Sequence, residues 1–149
     1  MIEIEGASAS AAAALADIHR QAFQPSWSAD EIATLIDGLG AVALAARLDG
    51  RLAGFIIYRI AADEAEVLTI ATVPELRGRG VAAALLERAM TVTMATQVTS
   101  VFLEVAVDNA AALGLYCSRG FRAVGERPRY YARPDGDVAA LIMRADLNR

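Results

Sequence analysis

The chain has one cysteine, Cys117, which excludes an internal disulfide and suits a reducing compartment. It has one histidine, His19, so a multi-histidine metal site is excluded, and no metal is expected. No apolar run reaches the roughly 20 residues needed to span a bilayer. The first residues, MIEIEGAS, carry two glutamates and no basic side chain, which is not a secretory signal. Strong positive charge is also missing: the net charge is −4, which argues against wholesale binding to nucleic acid or an anionic membrane. Neither common nucleotide motif occurs. There is no Gly-Lys-Ser/Thr ending of a phosphate loop and no Gly-x-Gly-x-x-Gly with a following acidic residue. No linker, repeat or low-complexity tract divides the chain. With 56% hydrophobic and 21% charged residues, the composition excludes disorder. The expectation is a single cytoplasmic domain over residues 1–149 with a sizeable core.

What is present is organised around residues 67–88, VLTIATVPELRGRGVAAALLER. Residues 67–71 make a short buried-strand pattern, which Pro74 closes because it lacks an N–H for the ladder. Arg77-Gly78-Arg79-Gly80 then leads directly into an alanine- and leucine-rich helix. Glycines let the backbone turn tightly and approach a ligand closely. A helix beginning near Gly80 leaves its first N–H groups unpaired and its positive dipole end facing the turn. Strand, turn and helix N-terminus form an anion site suited to a phosphate or pyrophosphate, with Arg77 and Arg79 adding charge-assisted hydrogen bonds. The same pattern also occurs as plain punctuation between a strand and a helix.

Around this stretch the pattern predicts alternating elements. Residues 1–5 read as an edge strand and 7–23 as a helix, with Ser8 or Ser10 available as N-cap and Leu15, Ile18, Ala22 and Phe23 on one face. His19, in that helix, reads as a surface or boundary residue. Gln24-Pro25-Ser26 is a break, and Trp27 after it either plugs a core edge or lines a cleft. Ser28 with Glu31 is a capping box opening a helix to about Leu39. Residues 41–48 and 52–60 are strands joined by Asp49-Gly50, a tight-hairpin signal, and 66–73 is the third strand of the meander. The central helix spans 80–96, followed by a strand at 99–107, a helix at 109–119 ended by Gly120, and strands at 121–126 and 138–145. Between the last two lies an aromatic and basic loop, residues 128–136. The order predicts an α/β mixed sheet with helices on both faces.

The strand VFLEVAV places Phe102, Glu104 and Ala106 on one face and Val101, Leu103, Val105 and Val107 on the other. Between helices it is expected to be buried on both faces, where a carboxylate is costly unless paired or useful. Burial would raise the pKa of Glu104 and suit it to a general base; the alternative is a salt-bridged strand end. Asn109 is a natural N-cap, Tyr116 has core packing as its plain role, and Cys117 reads as a small buried apolar residue.

The ordered set Arg77-x-x-Gly80-x-Ala82, Glu104, Asn109, Tyr116 and Gly120-Phe121 resembles the GNAT superfamily of acyl-CoA N-acyltransferases. More closely, it is similar to the bacterial ribosomal-protein-alanine N-acetyltransferases. The resemblance runs from Ile2 to about Met143, includes Ala22-Phe23, Trp27-Ser28 and Arg129-Tyr130-Tyr131, and is strongest from Glu66 onward. It implies a GNAT fold of about seven strands with a splayed central pair holding acetyl-CoA. It implies that Arg77, Gly78, Arg79, Gly80, Val81, Ala82 and Ala83 hold the pyrophosphate, that the backbone of Ile70, Ala71 and Thr72 pairs with the pantetheine arm, and that Asn109 contacts the cofactor. Glu104 would accept the proton of the attacking ammonium, and Tyr116 would protonate the leaving thiolate. Trp27, Tyr130 and Tyr131 would wall a groove for the acceptor.

The partners so implied are acetyl-CoA and an amine acceptor, in a monomer or weak dimer. That acceptor is the α-amine of a protein N-terminus or, as the alternative, a small amine in a closed pocket. A non-catalytic acyl-CoA-binding module is the rival from another class. The chain departs from the pattern at Val138 and Ala139, where closer relatives carry an acidic pair, with Asp137 one step earlier, and at Thr69, where an asparagine is common. The loop rim is basic through Arg127, Arg129 and Arg133, partly offset by Asp135 and Asp137.

Overall fold

A computed structural model describes residues 1–23 and 25–147. Its elements are β1 (Ile2–Gly6), α1 (Ala12–Ala22), α2 (Ala29–Ile36), β2 (Ala41–Leu48), β3 (Arg51–Ala61) and β4 (Glu64–Thr72). They continue as α3 (Val81–Met94), β5 (Ser100–Ala106), α4 (Ala110–Ser118), β6 (Arg122–Tyr131) and β7 (Val138–Asp146). The seven strands form one sheet in the order β1-β2-β3-β4-β5-β7-β6. This is the mixed α/β sheet that the sequence pattern predicts.

Local chemistry accounts for most element ends. Asp49 and Gly50 both have positive φ, 51° and 86°, as a two-residue type I′ hairpin requires. Ser28 and Glu31 form the reciprocal capping box: Ser28 Oγ accepts from the Glu31 N–H, and Glu31 Oε1 accepts from the Ser28 N–H, each at 3.1 Å. The helix it opens stops at Ile36, short of Leu39, which is exposed. The expected first helix begins as a 3-10 turn, Ala9–Ala11, before α1. Neither Ser8 nor Ser10 caps it; their hydroxyls bond to each other at 2.7 Å. The break at Gln24-Pro25-Ser26 includes Gln24, which lies outside the described residues.

The sheet is covered on both faces at its centre. A Cβ on Gly54 would meet Val81 of α3, while the ring of the next residue, Phe55, lies 6.4 Å from His19 of α1. Successive strand residues point to opposite faces, so α1 and α3 sit on opposite sides. Hence residues 53–58 of β3 are all buried, and Phe55, Ile56, Ile57, Leu85, Leu86 and Met143 anchor the core. Burying side chains of this size contributes roughly 1.5–3 kcal/mol each.

Three expectations are corrected. His19 is 3% exposed, because it follows Leu15 by one helical turn on the core face of α1. Cys117 is exposed: it sits on the outer side of α4, while its neighbour Tyr116 takes the core position. β6 continues to Tyr131, so residues 128–131 extend the strand that the sequence pattern ends at Glu126. Two irregularities in the β6–β7 register, between Ala123 and Gly125 and between Arg127 and Tyr131, absorb the glycine and the proline. Among the described residues, no helix is long and apolar enough to cross a membrane.

Candidate active site

Among the described residues the only parallel pairing is between β4 and β5, and it is short: Glu64↔Ser100, Ala65↔Val101 and Glu66↔Phe102. Beyond Glu66 and Phe102 the two strands part, and each stays paired only with its outer neighbour, β3 or β7. A gap thus opens in the middle of the sheet toward the C-terminal ends of both strands. On β4, the Val73 N–H bonds to the Ala53 carbonyl at 2.8 Å, and alternation then puts Ala71 in a bonded pair with Phe55. The backbone groups of Ile70 and Thr72 therefore point into the gap, whereas those of Ala71 point away from it.

At the open end stands the glycine turn. Gly78 and Gly80 have φ of +78° and +82°, a region that side chains with a Cβ adopt at a cost of about 1–2 kcal/mol. Gly80 is the N-cap of α3 without a side-chain cap, and the first intrahelical bond there is from the Ala84 N–H to the Gly80 carbonyl at 3.0 Å. The N–H groups of Val81, Ala82 and Ala83 precede that bond and have no partner within the helix. Space around the turn is free: a Cβ at Gly78 would meet nothing within 4 Å, and one at Gly80 only the tip of Ile2. Arg77 and Arg79 are exposed beside it, with Asp49 near Arg79.

Glu104 lies on β5 just past the parting point. Arg59 pairs with Glu66 and Glu66 with Phe102, so Phe102 and Glu104 are on the α1 side of the sheet. α1 packs on β3 and β4, leaving Glu104 outside its cover. The expectation of burial on both faces is thus corrected: the Glu104 side chain is 23% exposed. It pairs with Arg127, whose Nε lies 2.6 Å from Oε1. The two line an open cleft of about 350 Å³ that runs over Phe102 and Ile142 to Arg59, Glu64 and Glu66.

Tyr116 is 5% exposed, packed edge-on against Phe121 at 5.8 Å. Burial, and then the neighbouring Tyr131, push its phenol up to about 12. Tyr131 is also raised, first by burial and then by the charges of Glu104 and Tyr130. Tyr131 is therefore near enough to both Glu104 and Tyr116 to feel the charge of one and to raise the other. Tyr130 is exposed, edge-on to Tyr131 at 5.1 Å. Asn109 caps α4, its Oδ1 accepting from the Ala112 N–H at 3.1 Å. Next to it, Asp108 holds Arg133 through two bonds of 3.1 and 3.2 Å, and that guanidinium stacks 5.5 Å above the Tyr131 ring. This ties the segment after β6 to the turn before α4.

Trp27 is not in the Glu104 cleft. Its ring stacks on His19 at 4.7 Å, its backbone N–H donates to His19 Nδ1 at 3.0 Å, and it lines a separate shallow cavity of about 450 Å³ with Asp30, Glu31, Thr34 and Leu35. It thus combines both roles that the sequence leaves open. Val138 and Ala139 are backbone elements of β7; the Ala139 carbonyl accepts from the Val107 N–H at 3.0 Å. The pairings of Glu104 with Arg127 and of Asp108 with Arg133 are not legible in sequence. The only hint is that basic residues cluster in a loop opposite a lone strand carboxylate. Among the described residues, no group of three or more His, Cys, Asp or Glu is placed to hold a metal ion.

Comparison with known proteins adds to this geometry. The family model of the acetyltransferase (GNAT) family matches residues 12–121. The "[Ribosomal protein bS18]-alanine N-acetyltransferase" of Escherichia coli (strain K12) is 38% identical over 95 residues, 64% of this chain and 64% of that protein. A putative enzyme of the same description from Bacillus subtilis (strain 168) is 32% identical over 133 residues, 89% of this chain and 87% of its own length. The crystal structure of the ribosomal-protein-S18-alanine N-acetyltransferase from Escherichia coli superposes with a TM-score of 0.94 at 30% identity, covering 100% of this chain and 96% of that one.

Proposed function

Because the chain belongs to the acetyltransferase (GNAT) family, we propose that it moves the acetyl group of acetyl-CoA to the α-amine of a protein N-terminus. The observation that carries this reading is the parting of β4 and β5. It leaves an unpaired strand edge at Ile70 and Thr72, a free helix N-terminus at one end, and the Glu104 carboxylate just past the point where the strands separate.

Acetyl-CoA is the acyl donor. The N–H groups of Gly80, Val81, Ala82 and Ala83, with Arg77 and Arg79, hold its pyrophosphate; both glycines are free of obstruction where a Cβ would stand in the way. Ile70 and Thr72 offer backbone partners along the gap to its extended arm. The acceptor amine comes from the open α1 side, where Glu104 faces the cleft. Glu104 takes a proton from the ammonium, the freed lone pair forms the new C–N bond, and the C–S bond breaks. Tyr116 donates its phenolic hydrogen to the departing sulfur and regains one from the second proton that the new amide nitrogen sheds, so the products are the neutral amide and the free thiol. Orientation of the two reactants supplies much of the rate, since well-placed partners gain several kcal/mol over free encounter.

A protein N-terminus is favoured over a small amine because the cleft is open and extended rather than closed. An α-amine has a reference pKa of about 7.7–8.0 against about 10.4 for lysine, so one carboxylate deprotonates it with less effort. The test is acetyl-CoA consumption with an alanine-initiated peptide, the same peptide blocked at its N-terminus and carrying a lysine, and a set of small amines. Turnover of the first alone is expected, and it should collapse in Glu104→Gln. Tight acetyl-CoA binding with no turnover on any acceptor would instead establish a binding module, and a clear preference for small amines would overturn the peptide assignment.

A further inference from the structure

The carboxylate assigned as proton acceptor is already engaged: Arg127 Nε stands 2.6 Å from Glu104 Oε1. A guanidinium in that position occupies the ground that an acceptor ammonium must take. Arg127 is not locked there. Its side chain is 55% exposed, and its guanidinium carbon also lies 5.3 Å from the centre of the exposed Tyr130 ring, a second resting place for the charge. It sits on β6 just before the register irregularity that ends at Tyr131, where Arg129 has φ of +56°. Bulges of this kind re-aim side chains beside active sites.

Charge matching then decides which acceptors fit. The other cation lining the cleft, Arg59, is held by Glu66 at 3.2 Å, and across the face Arg144 is held by Asp146 at 2.7 Å. When an ammonium displaces Arg127, therefore, Glu66 and Asp146 are already engaged. A neutral acceptor leaves the guanidinium with Tyr130 and water, because the remaining carboxylate of the lining, Glu64, stands opposite Ser100, four residues along β5 from Glu104. An acceptor that brings its own carboxylate exchanges one ion pair for two. The guanidinium stays within a few ångströms of Glu104, and an extended chain advances about 3.3 Å per residue, so the carboxylate must belong to the first two residues of the acceptor.

We infer that Arg127 is a specificity-determining residue that guards Glu104 in the free enzyme and selects acceptors whose first or second residue is acidic; this rests on the acyl-transfer reading above. The test uses the full chain and peptides identical except for Glu, Gln or Lys at the second residue. For the wild type, kcat/KM is expected to fall in the order Glu, Gln, Lys, with Glu over Gln by about tenfold. In Arg127→Gln that ratio should drop to near one, while the KM of the Gln peptide falls and its kcat is kept, a split that mere loss of structure would not produce. Binding of the same peptides to the CoA-loaded protein, followed by calorimetry, reads the preference without turnover. A wild-type preference for Lys, equal rates for all three peptides, or an acidic preference that survives in Arg127→Gln would overturn the inference. Absence of turnover on every peptide would count against the acyl-transfer reading, and the calorimetric order would still decide the role of Arg127.

Discussion

Tyr116→Phe removes one oxygen and nothing else, and the structure sets the size of its effect. Burial, then Tyr131, raises the Tyr116 phenol from the ordinary 10 to about 12. Each unit is about 1.36 kcal/mol, so the phenolate is disfavoured by roughly 2.7 kcal/mol beyond its ordinary level. A departing thiol has a pKa of about 8.5, so full transfer from this phenol to the thiolate is uphill by roughly 5 kcal/mol. The phenol therefore acts chiefly as a hydrogen-bond donor to the developing charge, and the proton follows as the site opens. Hydrogen bonds to charged groups contribute about 1.5–3 kcal/mol, which corresponds to a loss of about 10- to 150-fold in kcat for Tyr116→Phe. KM for acetyl-CoA and stability should change little, since Phe keeps the ring that packs edge-on against Phe121 at 5.8 Å. The assay is CoA release, followed with a thiol reagent at saturating substrate between pH 6 and 10. No alkaline loss of rate below pH 10 should trace to Tyr116. A variant within twofold of wild type, or a wild-type alkaline limb that vanishes in Tyr116→Phe, would refute the argument.

Three further outcomes are expected. Gly80→Asp places a carboxylate at a left-handed position at the helix start; it should fold with a loss of about 1–2 kcal/mol and weaken acetyl-CoA by at least about tenfold in calorimetry, and unchanged affinity would remove the turn from the site. Gly54→Ala should lose about 1–3 kcal/mol in urea unfolding, because its Cβ would stand 2.6 Å from the Ala71 carbonyl and 3.0 Å from Val81; wild-type stability would mean that the strand and α3 shift easily. His19 is held below its ordinary value of 6.5, by burial first and against the opposing charge of Glu31, so the unfolded chain binds its proton more readily. Its contribution is therefore complete above about pH 6.5 and is lost as pH falls from there through the folded-state value. His19→Phe should flatten stability between pH 7 and 5.5, and an unaltered slope would assign that acid sensitivity to other groups.

Elements set by neighbours in sequence were legible. The Ser28 and Glu31 box, the Asp49-Gly50 hairpin, the glycines before α3 and the alternation of β5 each act within a few residues, so the pattern carries the physics whole. Their order was enough for the mixed sheet, and with Glu104, Tyr116 and Gly120-Phe121 for the family. What the chain alone left open depends on partners far away in sequence. His19 looked like a boundary residue until Trp27 stacked on it and Phe55 rose beneath it. Cys117 and Tyr116 are adjacent, and only the packing of α4 against Phe121 decides which is buried. β6 runs on to Tyr131 because β7 supplies hydrogen bonds that its own glycine and proline argue against. Glu104 is an ion-paired carboxylate at an open cleft rather than a buried one, since α1 covers β3 and β4, and Arg127 arrives two strands away. The sequence determined which chemical groups are present and on which element each rides; their burial and charge partners were decided by long-range packing, which no local pattern encodes.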